Sequence, residues 1–340
     1  MRGIHALIYV LILSTSSFAQ EKKDSADDPA GKVWGYAFGD FFYKAGGEAT
    51  ERFSGEYSNY KKEFNAFDFR RIYLGYDHRI SQDFDTRFVL SYEGNEVTAN
   101  GNRTAFVKDA WIRWKNVFDK SNLSIGILPT PGYSYISEKF WEYRSIEKTI
   151  TDFRRQESSR DMGIMLDGTF GAKDQNGYYF MLGNGSGTNL VTSDNKILYG
   201  EIYSNLANNN LLLDLFIAGN DGGGLLKTFV GYKFSETKLG VEFFKSDFTD
   251  PWNLNPLGVS VFLISKTGKK EKIFFRYDYY TTRNNLRPRE HFVTAGLDFT
   301  PHPSVHIMPN IWLNFYQKTN RSIAKKTDVV PRLTFFYEYR

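Results

Sequence analysis

From Lys32 onward the chain repeats one pattern: a segment of alternating polarity, roughly ten to fifteen residues long, is followed by a turn rich in Asn, Asp, Gly, Lys or Pro. In the segment 84–93 the even positions are Phe84, Thr86, Phe88, Leu90 and Tyr92, and the odd positions are Asp85, Arg87, Val89, Ser91 and Glu93. Successive side chains of a β-strand point to opposite faces. The pattern therefore predicts an all-β fold whose strands each carry an apolar face and a polar face.

The last ten residues, PRLTFFYEYR, follow the same rule. Leu333, Phe335, Tyr337 and Tyr339 occupy one face of this segment, and Arg332, Thr334, Phe336 and Glu338 occupy the other. The chain thus predicts a final strand that is aromatic on one side and mostly polar on the other.

Composition excludes several classes of protein. The chain has 340 residues, 17% of them aromatic, no cysteine and a mean hydropathy of -0.45. Structural disulfides and a lipidated cysteine are therefore impossible, and a helical membrane protein is not expected. The net charge of +4 is small beside 43 basic and 39 acidic residues, so no nucleic-acid partner is expected.

The one long apolar run lies at the start of the chain. Arg2 precedes the apolar residues 6–13, and the small-residue end Ser17-Phe18-Ala19 follows them. The run is too short to span a bilayer, so residues 1–19 are predicted to be a cleaved secretory signal peptide. Residues 20–31 are polar and predicted to be a flexible lead, and 32–340 form one predicted β-barrel domain.

Two architectures fit strands with one apolar face. A soluble sandwich or lipocalin-like barrel would turn the apolar face inward. An outer-membrane barrel would turn it toward lipid, and strands of about 10 to 14 residues suit a tilted crossing of the hydrocarbon layer. Aromatic residues also gather near strand ends, as at Trp34, Trp111 and Phe299. We therefore expect a closed transmembrane barrel in the bacterial outer membrane, in contact with its lipid.

The alternating segments number about sixteen, an even count typical of bacterial single-chain barrels. They are predicted at 33–44, 66–79, 83–94, 104–118, 122–131, 161–172, 176–186, 196–206, 210–220, 225–235, 237–247, 256–267, 271–283, 289–299, 303–317 and 327–340. Short connections follow even-numbered strands, and long connections follow odd-numbered strands. This predicts short periplasmic turns and longer outer loops.

A barrel of this size is too wide for side chains to fill, so we expect an aqueous channel. The third outer connection, residues 132–160, is the longest and most charged, and only part of 136–155 has a helical pattern. In one interpretation this connection folds into the lumen and forms a constriction. In the other it is a solvated loop whose charges pair locally. Its charged residues are Glu138, Lys139, Glu142, Arg144, Glu147, Lys148, Asp152, Arg154, Arg155 and Arg160.

The runs FDFRRIYLGYDHRI, KDAWIRWKN and NLSIGILPTP resemble the phosphate-selective porin O and P family over about 66–170. The resemblance implies a sixteen-stranded outer-membrane channel, typically a homotrimer, with an inward third loop and with arginines and lysines that guide anions. The final strand also resembles the C-terminal signal read by the barrel-assembly machinery. That signal commonly ends on an aromatic residue, whereas here Arg340 follows Tyr339.

Several basic residues fall at positions that the alternation places toward the lumen. Arg71, Arg87, Arg113 and Lys115 fall on three consecutive strands before the long connection, and they are predicted to form a basic strip. The alternative is that these residues pair with neighbouring acids and only keep the lumen wet. The full predicted set of pore-lining or constriction residues is Arg71, Arg87, Arg113, Lys115, Glu138, Glu142, Arg144, Lys148, Arg154, Arg155 and Arg276.

Enzyme chemistry has little support in the sequence. After the predicted signal the histidines are His78, His291, His302 and His306, and three of them fall near predicted periplasmic turns. We expect no catalytic residue, metal or cofactor. The predicted function is passive diffusion of small hydrophilic solutes with a preference for anions such as phosphate. The alternative is a plugged barrel that acts as a surface receptor or adhesion module.

Overall fold

The computed structural model describes residues 31–49, 56–94, 96–192, 194–248, 255–283 and 287–339. The predicted signal peptide, 1–19, lies outside these residues, as does the predicted lead except for its last residue. Gly31 is the first residue of the first strand, so the barrel begins one residue earlier than predicted.

Within the described residues, sixteen strands form a closed antiparallel barrel. Each strand pairs with its neighbours in the sequence, and the first strand pairs with the last. The strands are β1 (Gly31–Tyr43), β2 (Asn65–Arg79), β3 (Phe84–Tyr92), β4 (Phe106–Phe118), β5 (Ser121–Pro129), β6 (Arg160–Phe170), β7 (Asn176–Gly183), β8 (Ile197–Leu206), β9 (Leu211–Asn220), β10 (Gly223–Phe234), β11 (Thr237–Ser246), β12 (Leu257–Lys266), β13 (Glu271–Thr281), β14 (Arg289–His302), β15 (Val305–Gln317) and β16 (Asp328–Tyr339).

All sixteen predicted strands are confirmed, and every predicted end lies within three residues of the observed one. Connections after even-numbered strands are short and share one end of the barrel, called here the short-connection end. Those after odd-numbered strands share the other, long-connection end, although β9 and β10 are joined there by residues 221–222 alone. The alternation between the two ends follows from the antiparallel order, which returns the chain to the same end after every second strand.

The outer face of the barrel is apolar and exposed. Exposed outward side chains include Leu74, Phe88, Ile112, Ile125, Phe180, Ile202, Leu215, Ile217, Val230, Phe275, Leu333 and Tyr337. An apolar band this extensive is far larger than the exposed patches of a soluble monomer. One predicted outward residue differs: Tyr92 is buried, because Arg103 of the following connection lies over its ring at 5.6 Å.

Four strand pairs in the described barrel have a register shift, and two of these shifts bring charged residues to the inner face. Phe38 of β1 pairs with Arg71 and Gly39 pairs with Phe69, so Arg70 is an extra residue in β2. In the same way Val89 pairs with Asp109 and Leu90 pairs with Val107, so Lys108 is an extra residue in β4. A bulge lets two consecutive side chains leave the strand on similar sides. As a result both Arg70 and Arg71 are buried, and so is Lys108.

The inner face of the barrel is not uniformly polar. The alternation therefore does not separate apolar from polar side chains completely. Strands β9 to β15 place a series of large apolar side chains on the same face as their buried polar residues. These are Phe216, Phe229, Phe244, Phe262, Phe274, Phe292 and Trp312, and all are buried. Large rings on this face need a packing partner, and the connection between β5 and β6 supplies it.

Candidate functional site

The connection between β5 and β6 is compact and mostly buried. It contains two short helices, α1 (Ser137–Trp141) and α2 (Ile150–Phe153), so the predicted helical part of 136–155 is confirmed. The connection turns away from β5 at Gly132, whose φ of 99° is left-handed. A Cβ at Gly132 would lie 2.8 Å from a carboxylate oxygen of Glu157 and 3.0 Å from the ring of Phe216, so this turn requires glycine.

One side of this connection is an apolar key. Ile136, Phe140, Trp141, Tyr143 and Ile146 are buried together with apolar residues of β10, β12, β13 and β15. The Trp141 ring lies 4.8 Å from the Phe262 ring and 6.4 Å from the Phe274 ring, centroid to centroid. This packing covers aromatic side chains on the inner faces of these strands, which would otherwise have no packing partner.

Buried hydrogen bonds add polar anchors to the same strands. Thr151 donates its hydroxyl to Glu242 of β11 at 2.6 Å, and Arg154 binds Glu290 of β14 at 2.6 Å. Trp312 of β15 donates its indole N–H to Glu147 at 3.0 Å. Hydrogen bonds to buried charged groups are among the stronger polar contacts in proteins. The connection is therefore held by both packing and charge.

Other contacts connect this segment to β2 and β16. Arg70 of β2 donates to the carbonyl oxygen of Ser145 and, at 3.3 Å, to that of Ile146. Arg332 of β16 also donates to the Ile146 carbonyl, at 3.1 Å. The segment 145–146 thus contacts β2 and β16 in addition to the strands of the apolar key.

Between the connection and strands β1 to β6 lies a charged cluster, defined by six bases and six acids. Its members are Asp40, Glu56, Arg70, Arg71, Glu93, Lys108, Asp109, Glu138, Arg144, Lys148, Asp152 and Arg160. Arg70 contacts Asp40 at 2.7 Å and Glu56 at 2.9 Å. Arg71 lies 3.7 Å from Glu93, which also pairs with Lys108.

The connections contribute ionised groups to this cluster. Partial loss of hydration opposes ionisation of Glu56, but the guanidinium groups of Arg70 and Arg71 outweigh it and lower the pKa of Glu56 to about 2. Burial likewise opposes the charge of Arg144, and Glu138 and Asp152 outweigh it and raise the Arg144 pKa well above its usual value. These groups therefore carry full charges at neutral pH.

The predicted site residues fall into three sets. Arg71, Glu138, Arg144 and Lys148 belong to the charged cluster. Arg87, Arg113 and Lys115 lie toward the short-connection end, and each has its own acid: Asp77 at 2.5 Å, Asp167 at 3.3 Å and Asp85 at 3.2 Å respectively.

The remaining predicted residues take different places. Arg154 and Arg276 are buried anchors, since Arg154 binds Glu290, and Arg276 binds Asp278 as well as the carbonyl oxygen of Lys148. Glu142 pairs with Lys238 and lies 3.5 Å from Lys272. Arg155 is exposed and borders the larger of two cavities.

Sequence reasoning missed Arg70 and Lys108, which are central to the cluster. Strict alternation places both on the outer face, and only the bulges bring them inside. The charged doublets Arg70-Arg71 and Lys108-Asp109 were the available signal. Two adjacent charges in a membrane strand cannot both avoid lipid unless the strand bulges.

Two cavities border the connection. One of about 1050 Å³ lies on its long-connection side and is lined by Glu56, Arg70, Arg71, Asp152 and Arg155, among others. The other, of about 350 Å³, lies on the side of α1 and is lined by Tyr36, Phe336, Glu138 and His306, among others. Within the described ranges, no group of three or more acidic, histidine or cysteine side chains is placed to hold a metal ion.

No protein-family model and no curated protein matches this sequence. The resemblance to the phosphate-selective porin family therefore remains a prediction. In the part of the chain that the structure describes, no helix is long and apolar enough to cross a membrane.

Solved structures do match the fold. The outer membrane channel DcaP of Acinetobacter baumannii aligns with a TM-score of 0.64 and 11% identity, covering 91% of this chain and 97% of that one. Salmonella typhi OmpF, in complex with daunomycin, gives a TM-score of 0.62 at 9% identity, with 91% and 97% covered. The anion-selective porin from Comamonas acidovorans gives 0.60 at 10%, with 91% and 99% covered. The chain therefore has the closed sixteen-stranded fold of Gram-negative porins.

Proposed function

We propose that this protein is an outer-membrane porin, a passive diffusion channel for small hydrophilic solutes. One combination of features carries the proposal. The closed barrel has an exposed apolar outer face, and its interior contains a charged cluster beside a cavity of about 1050 Å³. An apolar exterior suits lipid, and a charged interior suits water and dissolved ions. Purified protein added to a planar lipid bilayer should produce stepwise conductance. A folded protein that inserts but never conducts would contradict the proposal.

We infer that the connection 130–159 is folded into the lumen and narrows it. Its contacts support this, because the segment touches inner-face residues of β2, of β16 and of β10 to β15. A loop lying over the rim could not reach the same face of strands on both sides of a closed ring. The charged cluster then forms the narrowest part of the path.

We also propose that the channel prefers anions. The cluster is balanced in number, so selectivity depends on which charges face the water. Replacing Arg71 and Arg144 by Gln should shift the reversal potential toward cation preference, because Glu138 loses its arginine partner and Glu93 keeps only Lys108. Salt screens little over distances shorter than the Debye length of about 8 to 10 Å, so a solute that passes close to these charges feels their field.

The matched control for that experiment is Arg113→Gln with Lys115→Gln, which removes the same charge from the short-connection end. It should shift the reversal potential less, since its position is outside the charged cluster. The reverse substitution, Glu93→Gln with Glu138→Gln, should shift the potential toward anions. An equal shift in the Arg113 and Lys115 variant would contradict the assignment of the charged cluster as the selectivity region.

We also propose an orientation in which the short-connection end faces the periplasm. An epitope tag inserted after Leu190, which is highly exposed in the β7–β8 connection, should be labelled on intact cells. The same tag inserted at 268–270, between β12 and β13, should be labelled only after the outer membrane is opened. Labelling of the 268–270 tag on intact cells would reverse the orientation.

Assembly is proposed from the sequence. We propose a homotrimer, and recognition of β16 by the barrel-assembly machinery. The alternating outward residues of β16, Leu333, Tyr337 and Tyr339, are exposed, and β16 closes the barrel against β1. Mass measurement of the detergent-extracted protein would test the trimer.

A further inference from the structure

A patch of aromatic rings lies on the inner face of β1 and its neighbours. Trp34, Tyr36 and Phe38 occupy alternate positions of β1, with centroids 6.4 Å apart at each step and planes within 15° of parallel. Tyr73 of β2 stacks on Tyr36 at 4.4 Å, and Phe336 of β16 lies 5.8 Å from Tyr36. The row runs from the short-connection end toward the charged cluster, where Arg70 lies over Phe38 at 5.2 Å.

Part of this patch borders open space. The cavity of about 350 Å³ beside α1 is lined by Tyr36, Phe38 and Phe336, among others. The rings of Tyr36 and Phe336 are only half-buried. This volume lies at the lower end of the range of about 300 to 1,000 Å³ found for small-molecule sites. Covering this water-accessible apolar surface with another flat apolar surface is favourable, because apolar area is removed from water.

Most charged side chains in the walls of the same cavity are in ion pairs, whereas Lys139 lies over the ring of Tyr135. Arg144 binds Glu138, and His306 lies 2.9 Å from Asp298, which also accepts a hydrogen bond from Tyr143 at 3.0 Å. Glu142 is paired with Lys238 and Lys272. Paired charges create little net attraction for a free ion. They retain many donor and acceptor sites, because a carboxylate has about four lone-pair directions and a guanidinium has five N–H groups.

An aromatic floor with balanced polar walls matches one chemical class. A pyranose sugar is uncharged, has one flat face of C–H groups and carries hydroxyl groups around its edge. The C–H face packs against the electron-rich face of an aromatic ring, and the hydroxyls can both donate and accept hydrogen bonds. A small anion would meet Glu138 and Asp298, and an organic cation would meet Lys139 and Arg144.

We propose that this cavity is a subsite for a neutral pyranose sugar on the short-connection side of the constriction, with Tyr36 and Phe336 as its stacking platform. The subsite deepens the channel function proposed above and rests on it for its physiological meaning.

The test measures binding separately from conduction. Isothermal titration calorimetry of the full chain in detergent, with maltose as the probe, should show saturable binding. Sorbitol should bind much more weakly, because it carries hydroxyls but no rigid ring face. Maltose added to a conducting bilayer should also reduce ion current in a concentration-dependent way.

Variants then assign the binding to the patch. Tyr36→Ala with Phe336→Ala should weaken maltose binding about tenfold to a hundredfold, since two aromatic contacts are lost and each factor of ten in affinity corresponds to about 1.4 kcal/mol. Tyr36→Trp should retain binding. Tyr203→Ala, which alters an inner ring that lines a different cavity, should leave binding unchanged.

The outcomes separate this inference from the channel proposal. Normal conductance without maltose binding, or equal binding of maltose and sorbitol, would overturn the sugar subsite and leave the channel intact. Maltose binding that survives loss of both rings would also overturn it. Saturable, ring-dependent binding in a barrel that never conducts would support the subsite and contradict the channel. If the double alanine variant fails to fold, the comparison of maltose with sorbitol on the native chain still decides the question.

Discussion

Replacing Phe140, Trp141 and Ile146 together by alanine is expected to raise the single-channel conductance several-fold while the barrel stays folded. These three side chains are buried in the apolar key against β10, β12, β13 and β15. Truncating a buried aromatic residue costs about 3 to 5 kcal/mol, and truncating isoleucine costs about 2 to 5 kcal/mol. Losses of this size exceed what the remaining polar anchors supply, so the connection should leave the lumen and widen the path.

The barrel itself should survive that change, because its sixteen strands are joined by their own backbone ladders. Limited proteolysis supplies an independent readout: the connection should become cleavable near Arg144 in the variant and resist cleavage in the native protein. Leu190→Ala, at an exposed position of the β7–β8 connection, is the control and should change neither conductance nor cleavage. Unchanged conductance in a folded triple variant would show that the connection does not narrow the channel.

Placing a charge on the outer face at mid-strand is expected to abolish most of the folded barrel. Ile202 lies near the centre of β8 with its side chain exposed on the outer face. If that face meets lipid, Ile202→Arg should destabilise the barrel by about 2 to 4 kcal/mol, the cost measured for arginine near the bilayer midplane. The folded fraction can be read from heat-modifiable migration on gels after refolding into vesicles.

The matched control lies on the same strand. Asn205 pairs with Leu212, which packs against the apolar key, so its side chain is on the inner face. Asn205→Arg should therefore fold nearly as well as the native chain, because its guanidinium can reach water in the lumen. If both substitutions reduce folding equally in lipid, the outer face is not the lipid-facing side.

Most of the barrel was predictable because its signals are local. Alternation with a period of two reports which strand face is apolar, and turn residues report where each strand ends. The final strand illustrates this, since Leu333, Tyr337 and Tyr339 are exposed and Arg332 and Thr334 are buried as the pattern predicted. The closed antiparallel order follows because open strand edges would leave backbone groups unsatisfied in lipid.

The inner face of β9 carried a signal that was visible and could not be interpreted from the sequence alone. Leu212 and Phe216 are apolar, yet they share a strand face with the charged residue Asp214. In the structure Phe216 is buried in a core cluster, and Leu212 packs against the apolar key of the β5–β6 connection. An apolar residue inside a water-filled barrel is explained only by a partner that comes from elsewhere in the chain.

The sequence by itself determined the strand count, the neighbour order and the outer face, because each depends on residues within one strand or one turn. The tertiary structure decided which charges meet. Arg70 and Lys108 enter the lumen only because the pairing of β1 with β2 and of β3 with β4 slips by one residue. Trp312 donates a hydrogen bond to Glu147, which lies 165 positions away in the sequence. Ion pairs and packing depend on distances in space, which a period-two pattern does not encode, so the composition of the charged cluster emerged only from the folded chain.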